Sequence, residues 1–86
     1  MAEQLTVVRG HNVRDEHGNA FGMLDVHPDP SDVAVLLGVY VAAADDRVQL
    51  VLRVGTTAER HGLRIECTAI STEAPERIDL LVEPTS

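Results

Sequence analysis

The centre of the chain reads VAVLLGVYVAAADDRVQLVLRV, Val33 to Val54, and its only charges are Asp45, Asp46, Arg47 and Arg53. A stretch this apolar must be buried along most of its length. It admits two foldings: a buried helix running into a strand, or two strands doubled back at the aspartate pair. In the second folding Asp45 and Asp46 form the tip. Ala43 then faces Val48, Val41 faces Leu50, Val39 faces Leu52 and Leu37 faces Val54. Both arms alternate with period two, and with Val33 and Val35 one face of the ribbon is wholly apolar. The abundance of valine suits a pleated surface.

The helical folding has a strong start signal in DPSD, with Asp29 as cap, Pro30 at the first helical position and Asp32 in the first turn. Val33, Leu36, Leu37, Tyr40, Val41 and Ala44 follow at helical spacing. The opposite face, however, would carry Val35, Gly38, Val39 and Ala42. A helix apolar all round needs burial on every side, and 86 residues leave little material to surround it. Gly38 and the β-branched residues also weaken a helix interior. The hairpin, 33–44 against 47–54, is therefore the preferred reading.

Other segments also read as strands. Leu63, Ile65, Cys67 and Ala69 alternate with Arg64, Glu66, Thr68 and Ile70, and Ile78, Leu80 and Val82 with Arg77, Asp79, Leu81 and Glu83. A loop at Thr72–Pro75 pairs Ala69 with Ile78, Cys67 with Leu80 and Ile65 with Val82, and sets Arg64 opposite Glu83. HGN at His17–Asn19 supplies a turn between Val13 and Phe21–Val26, and Leu5–Arg9 opens the chain as a strand. GTTAERHG, Gly55–Gly62, reads as a polar connection with room for one helical turn. The expected fold is all-β: a small antiparallel sandwich or partly open barrel of six or seven short strands in one domain, 1–86. The alternative is α+β, with one helix over 30–44 on an antiparallel sheet. At 9.3 kDa such a domain exposes about 5,000 Å² when folded, enough burial for one thin core.

Charge and residue types exclude several chemistries. The net charge is −7, every cation is arginine, and Phe21 and Tyr40 are the only aromatics. Without lysine there is no Schiff base and no phosphate-loop lysine. An acidic chain lacking stacking rings is a poor nucleic-acid binder. The longest uncharged apolar run, Val33–Ala44, is too short to span a bilayer, and Met1–Gln4 does not resemble a secretion signal. The lone Cys67 forms no internal disulfide, which points to a reducing compartment. The expectation is a cytoplasmic protein, or a virion-associated one if virus-encoded, that needs no cofactor.

Two sets of candidate residues follow. His11, His17 and His27 lie near Asp15 and Asp25, residue types that suit zinc or iron, and a fold at His17–Asn19 would bring His11 towards His27. They define a small metal- or ligand-binding alternative. No serine sits in a nucleophile elbow, and Cys67 falls on the core face, where a thiol packs rather than reacts. The second set is the reverse side of the central ribbon: Ala34, Leu36, Gly38, Tyr40, Ala42 and Ala44, with Val51 on the other arm. Small and apolar groups there need cover from the chain itself or from another protein. The leading expectation is a non-catalytic interaction or structural module that self-associates as a homo-oligomer or docks on a larger protein assembly. An accessory, particle-decorating or inhibitor role fits it.

Overall fold

The structure, a computed structural model, describes residues 2–85. The chain forms eight strands: β1 Glu3–Val8, β2 Asn12–Arg14, β3 Ala20–His27, β4 Ala34–Val41, β5 Asp46–Leu52, β6 Thr57–Arg60, β7 Leu63–Ser71 and β8 Arg77–Pro84. They make two four-stranded antiparallel sheets, ordered β1-β8-β7-β6 and β2-β3-β4-β5. Every hydrogen-bonded pair but β1–β8 joins strands consecutive in the chain. Since β1 also touches β2 and β5 touches β6, the circuit around the core follows chain order. The sandwich is thus a meander split at two corners, with no closed barrel.

The central stretch is a hairpin, and the helix over 30–44 does not form. Val41 pairs with Asp46, Val39 with Val48, Leu37 with Leu50 and Val35 with Leu52. The turn is not the aspartate pair. Ala42–Ala44 make a single 3-10 turn, closed where the Asp45 N–H donates to the Ala42 carbonyl and Asp45 adopts φ 48°. The hairpin therefore closes earlier than expected, and each partner is displaced by four residues. An even displacement keeps every side chain on its face. Val35, Leu37, Val39, Val41, Leu50 and Leu52 are buried as the alternation requires. Val54 falls beyond the hairpin and is 61% exposed. In DPSD, the Asp29 carboxylate accepts from the Ser31 N–H at 3.0 Å and its hydroxyl at 2.8 Å. Its carbonyl accepts from the Asp32 N–H at 2.8 Å. The same side-chain chemistry that caps helices here closes a turn, because the residues after it favour a strand.

In the β7–β8 hairpin, Arg64 pairs with Glu83, Ile65 with Val82 and Cys67 with Leu80, as read from the sequence. A bulge at Thr68 then moves Ala69 opposite Asp79 and Ile70 opposite Ile78. The eighth strand is β6, inside the stretch expected to be a polar connection. Its polarity is that of an edge: Thr57, Glu59 and Arg60 are exposed, and only Ala58 packs on the core. Charges on an edge strand discourage pairing with other chains.

One core cluster fills the space between the sheets, with Leu5, Ile65, Cys67, Ile78 and Leu80 from the first sheet meeting Phe21, Val35, Leu37 and Leu52 from the second. The surface of 5099 Å² agrees with the size expected for a thin core. Asp15 and Asn19 are the only buried polar side chains among the described residues. The Asp15 carboxylate accepts from the His17 and Asn19 N–H groups, both at 2.9 Å, and from Asn19 Nδ2 at 2.8 Å. Asn19 Oδ1 accepts from the Ala42 N–H at 2.9 Å, tying the β2–β3 turn to the end of β4.

Candidate functional site

The outward side chains of the second sheet fall into rows across its four strands. One row is Arg14, Ala20, Tyr40, Arg47; the next is Asn12, Gly22, Gly38, Gln49. The row beyond sets Asp25, Leu36 and Val51 across β3, β4 and β5, apolar on β4 and β5. A bulge between Met23 and Asp25 turns Leu24 out beside it, 50% exposed. Long side chains thus stand on the edge strands and small ones in the centre. The result is a trough of about 960 Å³ along the strands.

Two facing glycines make the floor. Neither Gly22 nor Gly38 has a positive φ, so no backbone conformation demands glycine at either position. A Cβ at Gly22 would lie 2.5 Å from Asn12 Oδ1, and one at Gly38 would lie 3.2 Å from Leu24 Cδ1. Two exposed side chains therefore lean over the floor.

Two of the chain's seven arginines, Arg14 and Arg47, line the trough. Elsewhere Arg9 pairs with Glu76 at 2.8 Å, Arg53 with Asp32 at 2.7 Å, and Arg64 with Glu83 at 2.8 Å and Glu59 at 3.2 Å, while Arg60 donates only to the Glu59 carbonyl and the Arg77 side chain has no partner among the described residues. Among the described residues, the Arg14 and Arg47 side chains have no ion-pair or hydrogen-bond partner. The Tyr40 hydroxyl donates to Asp45 at 2.7 Å. That bond holds the phenol above its ordinary pKa, while the charges of Arg47 and Arg14 pull it down. Both cations therefore act on one phenol from opposite rims.

Of the residues expected on this face, Leu36, Gly38, Tyr40 and Val51 lie on it together. Ala34 is on the same side of β4 but buried at 5%, next to His27 in the β3 pairing. Ala42 and Ala44 sit in the 3-10 turn and leave the strand face. Sequence reading missed Asn12, Arg14, Gly22 and Leu24, because it left β2 and β3 without a facing register. The available signal was a glycine in each of two strands with no turn to explain it.

The candidate metal residues are not brought together. The β2–β3 register sets Asn12 opposite Gly22, so His11 enters β2 at the level of Met23. His27 lies four residues further along β3, about 14 Å away, and His17 is at the turn beyond the other end of β2. Asp15 is committed to the Asn19 network, and Asp25 lies 4.0 Å from Arg9. Among the described residues, no group of three or more His, Cys, Asp or Glu side chains could hold a metal ion. The fold instead places His17 beside His61 around a cavity of about 230 Å³ at the end of the sandwich. There His61 Nε2 lies 2.9 Å from Asp46 Oδ2. Burial pushes the Cys67 thiol up to about 11, so it stays protonated and unreactive at neutral pH.

Fold and site together define a class: a small two-sheet antiparallel β-domain with one outer face largely paired within itself and the other carrying an open trough. No protein-family model, curated protein or solved structure matches the chain. No helix among the described residues is long and apolar enough to cross a membrane.

Proposed function

We propose that this domain is a non-catalytic interaction module that docks on a protein partner through the outer face of β2–β5. The observation that carries the reading is the trough itself. Leu24 and Val51 are 50% and 55% exposed, two cations are uncommitted, and two strand glycines have no backbone reason to be there. A bound partner uses all three features: it covers apolar surface, pairs charge and occupies the space above the floor. A self-associating subunit and an accessory or inhibitory subunit of a larger cytoplasmic or virion-borne assembly both use such a face. The metal-binding alternative gains no support from the dispersed histidines.

The test is a pair of photo-cross-linking residues, one replacing Gln49 on the trough rim and one replacing Glu66 on the opposite outer face. Each is placed in the full chain within the cells that make it. The expected result is one dominant protein adduct from position 49 and none from position 66. Equal adducts from both positions, or none from either, would overturn the reading.

A further inference from the structure

We infer that the occupant of the trough is an extended acidic segment of a partner protein, with one carboxylate held between Arg14 and Arg47 and an apolar side chain four residues away seated against Leu24, Leu36 and Val51. This names the partner chemistry for the docking reading above and rests on it.

Charge complementarity selects the acidic group. The chain carries 14 carboxylate residues against seven arginines, yet the two at the trough, Arg14 and Arg47, pair with none of them. Two such cations face each other across the trough, and both lie close enough to bias the Tyr40 phenol. Guanidinium groups engage carboxylates through short, paired, charge-assisted hydrogen bonds. Asp45, which lines that end of the trough, is occupied by the Tyr40 hydroxyl. Repulsion from the remaining acidic surface is screened beyond about 8 Å at physiological salt.

The dimensions select a single extended chain. The rims on β2 and β5 are three strand spacings apart, about 14 Å, while packed sheets need about 10 Å between layers. One strand-like segment fits between the rims, and its backbone can approach a floor that lacks Cβ atoms. Two copies stacked on this face would set rim against rim, since an isologous contact repeats the same patch. Along β4, the arginine row at Tyr40 and the apolar row at Leu36 are four residues apart, again about 14 Å. In an extended segment, side chains four residues apart point to the same side, so one segment reaches both ends. Asn12 and Leu24, which lean over the glycines, are exposed side chains that can swing aside.

The experiment is an NMR titration of the full chain with short acetylated peptides in a serine–threonine background. Each carries one glutamate and one leucine four apart, in either order. Control peptides space the two three apart or replace glutamate by glutamine. The expected result is movement of the Gly22 and Gly38 amide signals with the four-apart peptides only. Loss of one charge-assisted pair is expected to weaken binding about tenfold, in Arg14→Gln, in Arg47→Gln and in the glutamine peptide alike. Glu66→Gln, on the opposite face, should bind as the parent does. No shift with any peptide into the millimolar range, or equal binding of the glutamine control, would overturn the inference. If that happens while position 49 still cross-links to a partner, the docking face stands and only its occupant is wrong. A position-49 adduct consisting of a second copy of this chain also rules out the acidic segment. If neither cross-link nor shift appears, both readings fall.

Discussion

The two outer faces of the sandwich rest on equal numbers of strands and on the same alternation, yet they treat their polar groups in opposite ways. On the first sheet, Thr6 donates to Asp79 at 2.8 Å, Thr68 donates to the Asp79 carbonyl at 3.2 Å, and Arg64 bridges Glu59 and Glu83. Those two carboxylates hold the Arg64 guanidinium above its ordinary pKa. Those bonds tie most of that face to itself, with Arg77 at the start of β8 left without a partner among the described residues. On the second sheet Arg14 and Arg47 point to nothing, the centre is two glycines, and apolar side chains stand at one end. Alternation decides which side chains leave the core, but not what they meet outside. Only the second face sets two unpartnered cations in one row beside exposed apolar side chains.

The inner faces, by contrast, should be equivalent, and this is where the largest effects lie. Leu37→Ala beneath the trough and Leu80→Ala beneath the closed face remove side chains that are both 0% exposed. Each is expected to cost about 2–5 kcal/mol in urea unfolding. A much smaller loss for Leu37→Ala would show that the second sheet is loosely held, and the open face would then reflect poor packing. Asn19→Ala should cost about 1–3 kcal/mol, because it strips Asp15 Oδ2 and the Ala42 N–H of their partners.

The outer faces should separate in smaller effects. Gly22→Ala and Gly38→Ala are expected to leave stability unchanged or raise it by up to about 1 kcal/mol, since glycine weakens a strand interior and only flexible side chains must yield. A loss as large as a core substitution would make the floor structural. Arg64→Ala should lower the melting temperature slightly, an effect that fades with added salt. Arg47→Ala should leave it unchanged.

The smallest expected effect is with pH. The Arg53 hydrogen bond holds Asp32 below the ordinary aspartate value of 3.8. Its contribution is thus fully present above that value and is lost as pH falls through the depressed native one. Asp32→Asn should flatten the acid limb of the melting-temperature profile and leave neutral pH nearly unaffected. An unchanged acid limb would show that the pair contributes nothing.

Much of the fold was legible because burial enforces period two. Val35, Leu37, Val39, Val41, Leu50, Leu52, Ile65, Cys67, Ile78, Leu80 and Val82 could be assigned to the core without knowing any turn. The turn itself was not legible. Two aspartates look like a tip, but a 3-10 turn of three alanines with left-handed Asp45 closes the hairpin sooner. Only the evenness of the resulting displacement preserved the faces. The polar stretch Thr57–Arg60 hid an edge strand, since an edge buries only Ala58. Half of the candidate face was readable from β4 and β5. The other half depended on how β2 and β3 align, and a three-residue strand beside a bulged one carries too little pattern to fix that register.

Hydroxyl-radical footprinting of the full chain, purified alone and inside the cells that make it, tests the open face most directly. The account predicts that labelling of Leu24, Tyr40 and Val51 falls in the cell while Leu81, on the closed face, is labelled equally in both. Unchanged labelling at Leu24 and Val51, or matching protection at Leu81, would contradict it.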